Sequence, residues 1–199
     1  MKRRMLPLFA LSAVMAGSLS AGTYTWTGNA KDGLWFTERN WDYTDDNGNT
    51  TSPAATSPGN SPSDDVVIAN GDTVTYKPGG DWTPTGMTTI SGGSTLVQAD
   101  GGAYPNIHGT LLIDGGHYDA GTAGTVRFDA DLIVRNNGTA TFPKTVSNTG
   151  DGRFIIETGG SVVRSAAWSG PIPLLMRGGS FECQGTFSPP NAADEYTSG

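Results

Sequence analysis

The stretch DGGHYD holds the densest group of side chains suited to chemistry: Asp114, His117 and Asp119. Two carboxylates and an imidazole can bind a divalent cation or serve in acid–base catalysis. Further polar residues nearby are His108, Asp129 and Asp131. The spacing matches no metal-ligand motif, and His117 follows a glycine pair at a predicted turn. We therefore interpret His117 as a solvated turn residue, with ligand binding by the three residues as the alternative.

A second set of charged residues alternates in sign at nearly equal steps along the chain: Asp114, Arg135, Glu157 and Arg177. Each directly follows an apolar triplet, so each points outward if the triplet is part of a strand. Opposite charges on neighbouring strands attract and like charges repel. The alternation therefore favours a structural ion-pair ladder that fixes register. The competing interpretation is a catalytic face on one sheet of an enzyme, which does not need alternating signs.

Three of the five tryptophans lie close together, at Trp26, Trp35 and Trp41. Large aromatic side chains bury roughly 150–250 Å² each, so even a short segment can build a small core with them. We predict that residues 23–43 form an aromatic cap on the first coil of a repeat structure. The alternative is a sugar-binding platform, because indole faces suit pyranose rings.

The elements that must position these residues are six repeated phrases: VVIANGDTV, TTISGGSTL, LLIDGGHYD, LIVRNNGTA, FIIETGGSV and LLMRGGSFE. Each has an apolar triplet, a polar residue, a turn with Gly or Asn and a second alternating run. The period is set by the turn glycines, which recur at nearly constant spacing: Gly71, Gly93, Gly116, Gly138, Gly160 and Gly179. Such a period, with no stretch of helical periodicity inside it, predicts a parallel solenoid. We predict an all-β fold, a right-handed parallel β-helix (β-solenoid) of about six coils over residues 66–188.

Aligning the repeats predicts which side chains share a face, because strands of successive coils lie about 4.8 Å apart and side chains alternate along each strand. Two predicted core columns are Val66, Thr88, Leu111, Leu132, Phe154, Leu174 and Ile68, Ile90, Ile113, Val134, Ile156, Met176. A further inward set is Tyr118, Ala120, Ala140, Phe142, Val162, Phe181 and Cys183. The segment TVRF at 125–128 indicates a third strand per coil.

Two outward columns follow from the same alignment. His117 shares a turn column with Asp72, Ser94, Thr139, Ser161 and Ser180. An apolar outward stripe lies between the core columns: Val67, Thr89, Leu112, Ile133, Ile155 and Leu175. Parallel strands that are apolar on both faces are normally covered. We expect intramolecular cover, first by the aromatic segment 23–43, with a loop, another chain or further sequence as the alternatives.

The segment 1–22 has the pattern of a secretory signal peptide: a basic start, a short apolar stretch and small residues from Ser20 to Gly22. Cleavage after Ser20 or after Gly22 satisfies the small-residue requirement. No second apolar run of membrane-spanning length follows. We predict an exported chain, secreted or at the cell surface, with no transmembrane segment after signal removal. A net charge of −7 argues against nucleic-acid binding.

The segments YTWTG, DGLWFTERNWD and SDDVVIANGDTVTY, followed by Gly-rich strand repeats, carry a family resemblance. The chain resembles exported bacterial β-helix proteins of the autotransporter-associated β-strand repeat type. The resemblance implies β-helix architecture and surface export, and it implies no catalytic residue. Two other segments complete the predicted organisation: a flexible loop rich in Pro, Ser, Asn and Gly at 44–65, and a tail, complete or truncated, at 189–199.

These observations predict an exported structural or adhesive module, at the cell surface or extracellular, without catalytic activity. The alternative is a carbohydrate-binding or polysaccharide-degrading protein, similar to lyases or hydrolases, on the same scaffold. The expected partners are a cell-surface glycan or another β-helix chain that binds through the apolar outward stripe. No cofactor and no metal are expected, since the sequence has no phosphate loop, His-Glu-x-x-His motif or Cys/His cluster.

Overall fold

The computed structural model describes residues 21–59, 63–77, 86–99, 106–121, 125–143, 145–148, 150–165 and 173–184. These residues form eighteen strands and one short 3-10 turn, Glu38–Asn40. No helix among them is long and apolar enough to cross a membrane. The predicted tail and all but the last two residues of the predicted signal peptide lie outside the described residues.

The strands are short because turn residues interrupt the apolar runs every few positions. In chain order they are β1 (Thr23–Trp26), β2 (Trp41–Thr44), β3 (Thr50–Thr51), β4 (Asp65–Ile68), β5 (Thr73–Tyr76), β6 (Thr88–Ser91), β7 (Thr95–Gln98), β8 (Asn106–Ile107), β9 (Leu111–Asp114), β10 (His117–Asp119), β11 (Thr125–Phe128), β12 (Leu132–Arg135), β13 (Thr139–Phe142), β14 (Thr145–Asn148), β15 (Phe154–Glu157), β16 (Ser161–Arg164), β17 (Leu174–Arg177) and β18 (Ser180–Cys183). They are rich in Val, Ile, Thr and aromatic residues, which favour strands.

The strands stack in three sheets, each built from strands of successive coils. Sheet A has the order β17-β15-β12-β9-β6-β4-β1-β2-β3, sheet B the order β18-β16-β13-β10-β7-β5 and sheet C the order β14-β11-β8. Among the described strands, β1 with β2 and β2 with β3 pair antiparallel, and the other strand pairs are parallel. The predicted fold class, an all-β parallel solenoid, is therefore confirmed. The indicated third strand at 125–128 is also present, as β11.

The number of coils is slightly smaller than predicted. Six strand pairs stack in sheets A and B, but the first pair, β4/β5, and the last pair, β17/β18, lie at the ends of the repeat. The four inner pairs have a repeat coil on both sides, which gives about four turns instead of six coils.

The predicted core columns point into the solenoid. Ile113, Val134 and Ile156 lie opposite one another on β9, β12 and β15, and all three are buried. One aromatic ring from each sheet meets in the interior: Phe154 from sheet A, Phe142 from sheet B and Phe128 from sheet C. Their ring centroids lie 5.3 to 5.9 Å apart. The core is therefore shared by all three sheets.

Close stacking of the coils explains the glycine at the last four of the six turns, whereas at Gly71 and Gly93 a Cβ atom would meet no close neighbour and glycine instead permits the positive φ angles of 84° and 74°. A Cβ atom on Gly138 would lie 2.6 Å from the carbonyl oxygen of Ile113, and one on Gly160 would lie 2.2 Å from that of Val134. The contacted carbonyl belongs to the preceding coil in both cases. Only a residue without a side chain fits at these turns, because the backbone of the preceding coil comes so close.

The apolar outward stripe is partly buried, and the aromatic segment does not cover it. Leu112 and Ile155 are buried, and the other members are half-buried. Tyr24 lies opposite Val66 and is buried in the core cluster, so the aromatic segment extends the inward columns. The prediction that this segment covers the stripe is therefore wrong, because its large rings are buried in the core cluster: Tyr24, Trp26, Trp35 and Trp41.

The aromatic segment packs at the β4 end of sheet A. The ring centroid of Trp41 lies 4.9 Å from that of Trp26 and 4.9 Å from that of Trp35. The Trp41 indole N–H donates to the Trp35 carbonyl at 2.7 Å, and the Trp35 indole N–H donates to the Pro58 carbonyl at 3.1 Å. The predicted loop 44–65 thus supplies a contact to these rings. A capping role for the segment stays a prediction.

Candidate functional site

The polar residues of DGGHYD lie on two different sheets. Asp114 ends β9 in sheet A, whereas His117 and Asp119 lie in β10 of sheet B. His117 Nδ1 lies 2.5 Å from Thr139 Oγ1 in the next coil. Asp119 Oδ1 accepts the backbone N–H of Gly121 at 2.8 Å. His117 and Asp119 therefore have separate partners, and no shared centre is formed with Asp114.

The other nearby polar residues are also arranged in pairs. His108 Nδ1 is hydrogen-bonded to a carboxylate oxygen of Asp129, and Arg153 Nη2 lies 2.8 Å from Asp131 Oδ2. Within the described ranges, no group of three or more His, Cys, Asp or Glu residues is placed to hold a metal ion. In this arrangement the polar side chains link neighbouring coils in pairs.

The outward column that contains His117 differs from the prediction in its first two members. Thr73 lies opposite Thr95, and Thr95 lies opposite His117, so Asp72 and Ser94 belong to the preceding turns. The reason is turn length: four residues separate β4 from β5, and two separate β9 from β10. The complete column is Thr73, Thr95, His117, Thr139, Ser161 and Ser180. Sheet B therefore presents a row made mainly of hydroxyl groups.

The four residues of alternating charge stand in one outward row on sheet A. Arg135 lies opposite Asp114, and Arg177 lies opposite Glu157. The distances are 2.9 Å from Arg135 Nη2 to Asp114 Oδ2, 3.9 Å from Arg135 Nη1 to Glu157 Oε2 and 3.6 Å from Arg177 Nη1 to Glu157 Oε1. Each charge thus faces an opposite charge in the next coil, an arrangement suited to holding the register of the coils.

The contacts within this row shift the pKa values of Asp114 and Arg135. Hydrogen bonds from Arg135 and then from Asn136 hold the pKa of the Asp114 carboxyl below its ordinary value. The same contact with Asp114 raises the pKa of Arg135. Both groups are therefore charged at neutral pH. A proton donor for general acid catalysis would require the opposite shift of the Asp114 pKa.

We expect Arg135→Glu to lower the free energy of unfolding by about 1 kcal/mol at neutral pH. The substituted carboxylate would face Asp114 on one side and Glu157 on the other, so two attractions become two repulsions. Chemical denaturation measures the change. Lys77→Glu is the matched control, because Lys77 is exposed and makes no ion pair with the described residues.

The pH dependence gives this prediction a second test. Because the folded pKa of Asp114 is lowered, its contribution to stability is present above the unfolded pKa of about 3.9 and is lost as pH falls through the folded pKa. The difference in the free energy of unfolding between Arg135→Glu and the unmodified protein should therefore shrink as the pH falls through the folded pKa of Asp114. A difference that is constant down to the lowest pH would contradict an electrostatic origin.

The structure corrects the interpretation of the tryptophans as a sugar-binding platform. Trp35 and Trp41 are fully buried and Trp26 is 3% exposed, so no indole face is free for a pyranose ring. The rings instead pack against one another and against Tyr24 and Tyr76. These three residues belong to the hydrophobic core.

A shallow pocket of about 300 Å³ lies beside the edge of Trp26. Its lining includes Lys31, Asp72 and two glycines, Gly28 and Gly33. The Trp26 indole N–H donates to Asp72 Oδ2 at 3.0 Å, which orients the carboxylate. A Cβ atom on Gly28 would lie 2.5 Å from the same oxygen, so a side chain there would displace it. The pocket is lined by both a cation and a carboxylate.

Two buried polar residues of the interior, Arg164 and Gln98, were not predicted from the sequence. Arg164 is 1% exposed and lies in the inward column between Phe142 and Cys183, and burial lowers its pKa. The buried Tyr118 hydroxyl donates to Gln98 Oε1 at 2.6 Å, and burial raises the pKa of Tyr118. Period-two alternation applied without regard to charge would have placed Arg164 inside.

The ion pair between Asp131 and Arg153 was also missed as a pair. Each residue directly precedes a sheet A strand, and the two lie at equivalent positions of successive repeats, like the members of the charged row. Hydrogen bonding from Arg153 holds the pKa of Asp131 below its ordinary value. A search for opposite charges one repeat apart would have found it.

Comparison with known proteins does not assign a function to this geometry. No family model matches the chain, and no curated protein or solved structure is significantly similar to it.

Proposed function

We propose that the protein is an exported structural or adhesive module of the cell surface or extracellular space, without catalytic activity. The observation that carries the proposal is the outward row of Asp114, Arg135, Glu157 and Arg177. These charged side chains of sheet A bind each other across coils. Side chains that pair with each other across coils stabilise the stack of coils, which is the role expected in a rigid spacer and not in a reaction centre.

The proposal is consistent with two features of the sequence. The basic and apolar start, with small residues from Ser20 to Gly22, is typical of an export signal. The acidic composition, with only 16% charged residues, is suited to a surface that does not bind nucleic acid or anionic lipid through a basic patch. Solenoids also provide extended faces for contacts.

The test expresses the full chain in a bacterial host, alongside a matched variant that lacks residues 1–20. We expect the full chain outside the cytoplasm, at the cell surface or in the medium, and the variant inside. Cells that carry the full chain should be retained on immobilised glycans or on each other more strongly than cells that carry the variant. Retention of the full chain in the cytoplasm would contradict the proposal.

A second candidate, carbohydrate binding, is favoured by the pocket beside Trp26. Lys31 and Asp72 can donate to and accept from sugar hydroxyls there, and the two glycines keep the pocket open. A glycan array with the exported protein tests it. Binding that disappears in Asp72→Asn would support this candidate. Release of sugar from a polysaccharide, abolished by that substitution, would instead favour the degrading enzyme.

A further inference from the structure

Gly22, close to the predicted cleavage sites, is tied into the fold through both of its backbone groups. Its N–H donates to Asp64 Oδ1 at 2.9 Å, and its carbonyl accepts the Asp65 N–H at 2.8 Å. Gly22 is buried, and a Cβ atom there would lie 2.3 Å from the Tyr43 hydroxyl oxygen. Residue 22 therefore belongs to the folded structure, whereas the preceding Ala21 is exposed.

The residue that accepts the Gly22 N–H, Asp64, is itself buried. Asp64 is 1% exposed, and none of the described Lys, Arg or His side chains forms an ion pair with it. Isolation of a carboxylate from water is unfavourable unless a donor or an opposite charge compensates it. The donor identified for Asp64 is the Gly22 N–H.

The two cleavage sites that the sequence allows have different consequences for this arrangement. Hydrolysis after Gly22 would remove the donor of the Asp64 carboxylate and the acceptor of the Asp65 N–H. Hydrolysis after Ser20 would keep both bonds. It would also leave a new amino group on Ala21, one residue from Gly22, and consecutive Cα atoms are only about 3.8 Å apart.

We propose that the chain is processed between Ser20 and Ala21, and that the new ammonium group of Ala21 compensates the buried charge of Asp64. The inference rests on the proposed export. One water molecule is consumed by a peptidase that requires small residues. The Ser20–Ala21 C–N bond breaks, a carboxylate forms on Ser20, and the released amine of Ala21 takes up a proton. Processing thus supplies a new cation one residue from Gly22.

The first experiment determines the intact mass and N-terminal sequence of the exported protein after expression of the full chain. We expect a chain that begins at Ala21. An exported chain that begins at Thr23 would overturn the inference and leave the proposed function standing. A chain that still begins at Met1 in the cytoplasm would contradict both.

The second experiment tests the ammonium group by itself. The N-terminal amine of the exported protein is acetylated under conditions that spare the lysines, and thermal unfolding is compared before and after. We expect Tm to fall by about 2–4 °C in the unmodified sequence. In Asp64→Asn, expressed as the full chain, acetylation should change Tm much less. An equal change in both proteins, or no change in either, would overturn the pairing of Ala21 with Asp64.

Discussion

Trp41→Ala is expected to lower the free energy of unfolding by about 3–5 kcal/mol, the range for removal of a buried large aromatic side chain. Trp41 is fully buried and packs against Trp26 and Trp35. The substitution also removes the indole N–H that donates to the Trp35 carbonyl at 2.7 Å. Equilibrium denaturation measures the loss, and Phe36→Ala is the matched control because Phe36 is 50% exposed.

This result would also test the predicted cap. If the aromatic segment closes the first coil, Trp41→Ala should expose the β4 end and increase binding of a hydrophobic dye before global unfolding. Phe36→Ala should not increase dye binding. A loss of stability without any change in dye binding would show that the segment adds core without protecting the end.

Ala140→Asp is expected to abolish the folded state or to destabilise it by more than about 4 kcal/mol. Ala140 is fully buried between Tyr118 and Val162 of the adjacent coils. Burial of a carboxylate without a partner costs several kcal/mol of desolvation free energy. This cost is comparable with the whole free energy of unfolding of a typical protein, roughly 5–15 kcal/mol. Circular dichroism and denaturant titration of the purified protein would detect the loss.

The control for this substitution is its neighbour on the same strand. Thr139 faces outward and is half-exposed between His117 and Ser161. Thr139→Asp replaces the hydroxyl that contacts His117 Nδ1, but water and the imidazole can solvate the new carboxylate, so the free energy of unfolding should change by no more than about 1 kcal/mol. Equal effects at the two positions would contradict the assignment of faces in β13.

The interior of the solenoid could be predicted because two simple periods act together. Alternation along a strand and repetition once per coil place Ile113, Val134 and Ile156 on one face without further information. The charged row was predictable for the same reason, since its members directly follow the apolar triplets. These features depend on local geometry that every coil repeats.

The turn column and the candidate site could not be predicted to the same depth. Turns of two, three and four residues connect sheets A and B. Because the alignment of the repeats did not allow for these lengths, it was wrong by one residue in the first two coils and predicted Asp72 and Ser94 where the structure has Thr73 and Thr95. The polar residues of DGGHYD are close in sequence, but the corner between the two sheets separates Asp114 from His117. Proximity along the chain does not show which side of a corner a side chain occupies.

The direction of β1 has a consequence for the length of the rod. In sheet A, β1 has a parallel neighbour, β4, on one side and an antiparallel neighbour, β2, on the other. A duplicated unit of one full repeat can be inserted between two repeat coils, because each coil presents the next one with the same parallel backbone pattern. Beyond β1 the chain direction reverses, so an added coil would find no matching edge there. Length changes by gene duplication are therefore expected downstream of Asp65, which would give rods of different lengths with one constant end.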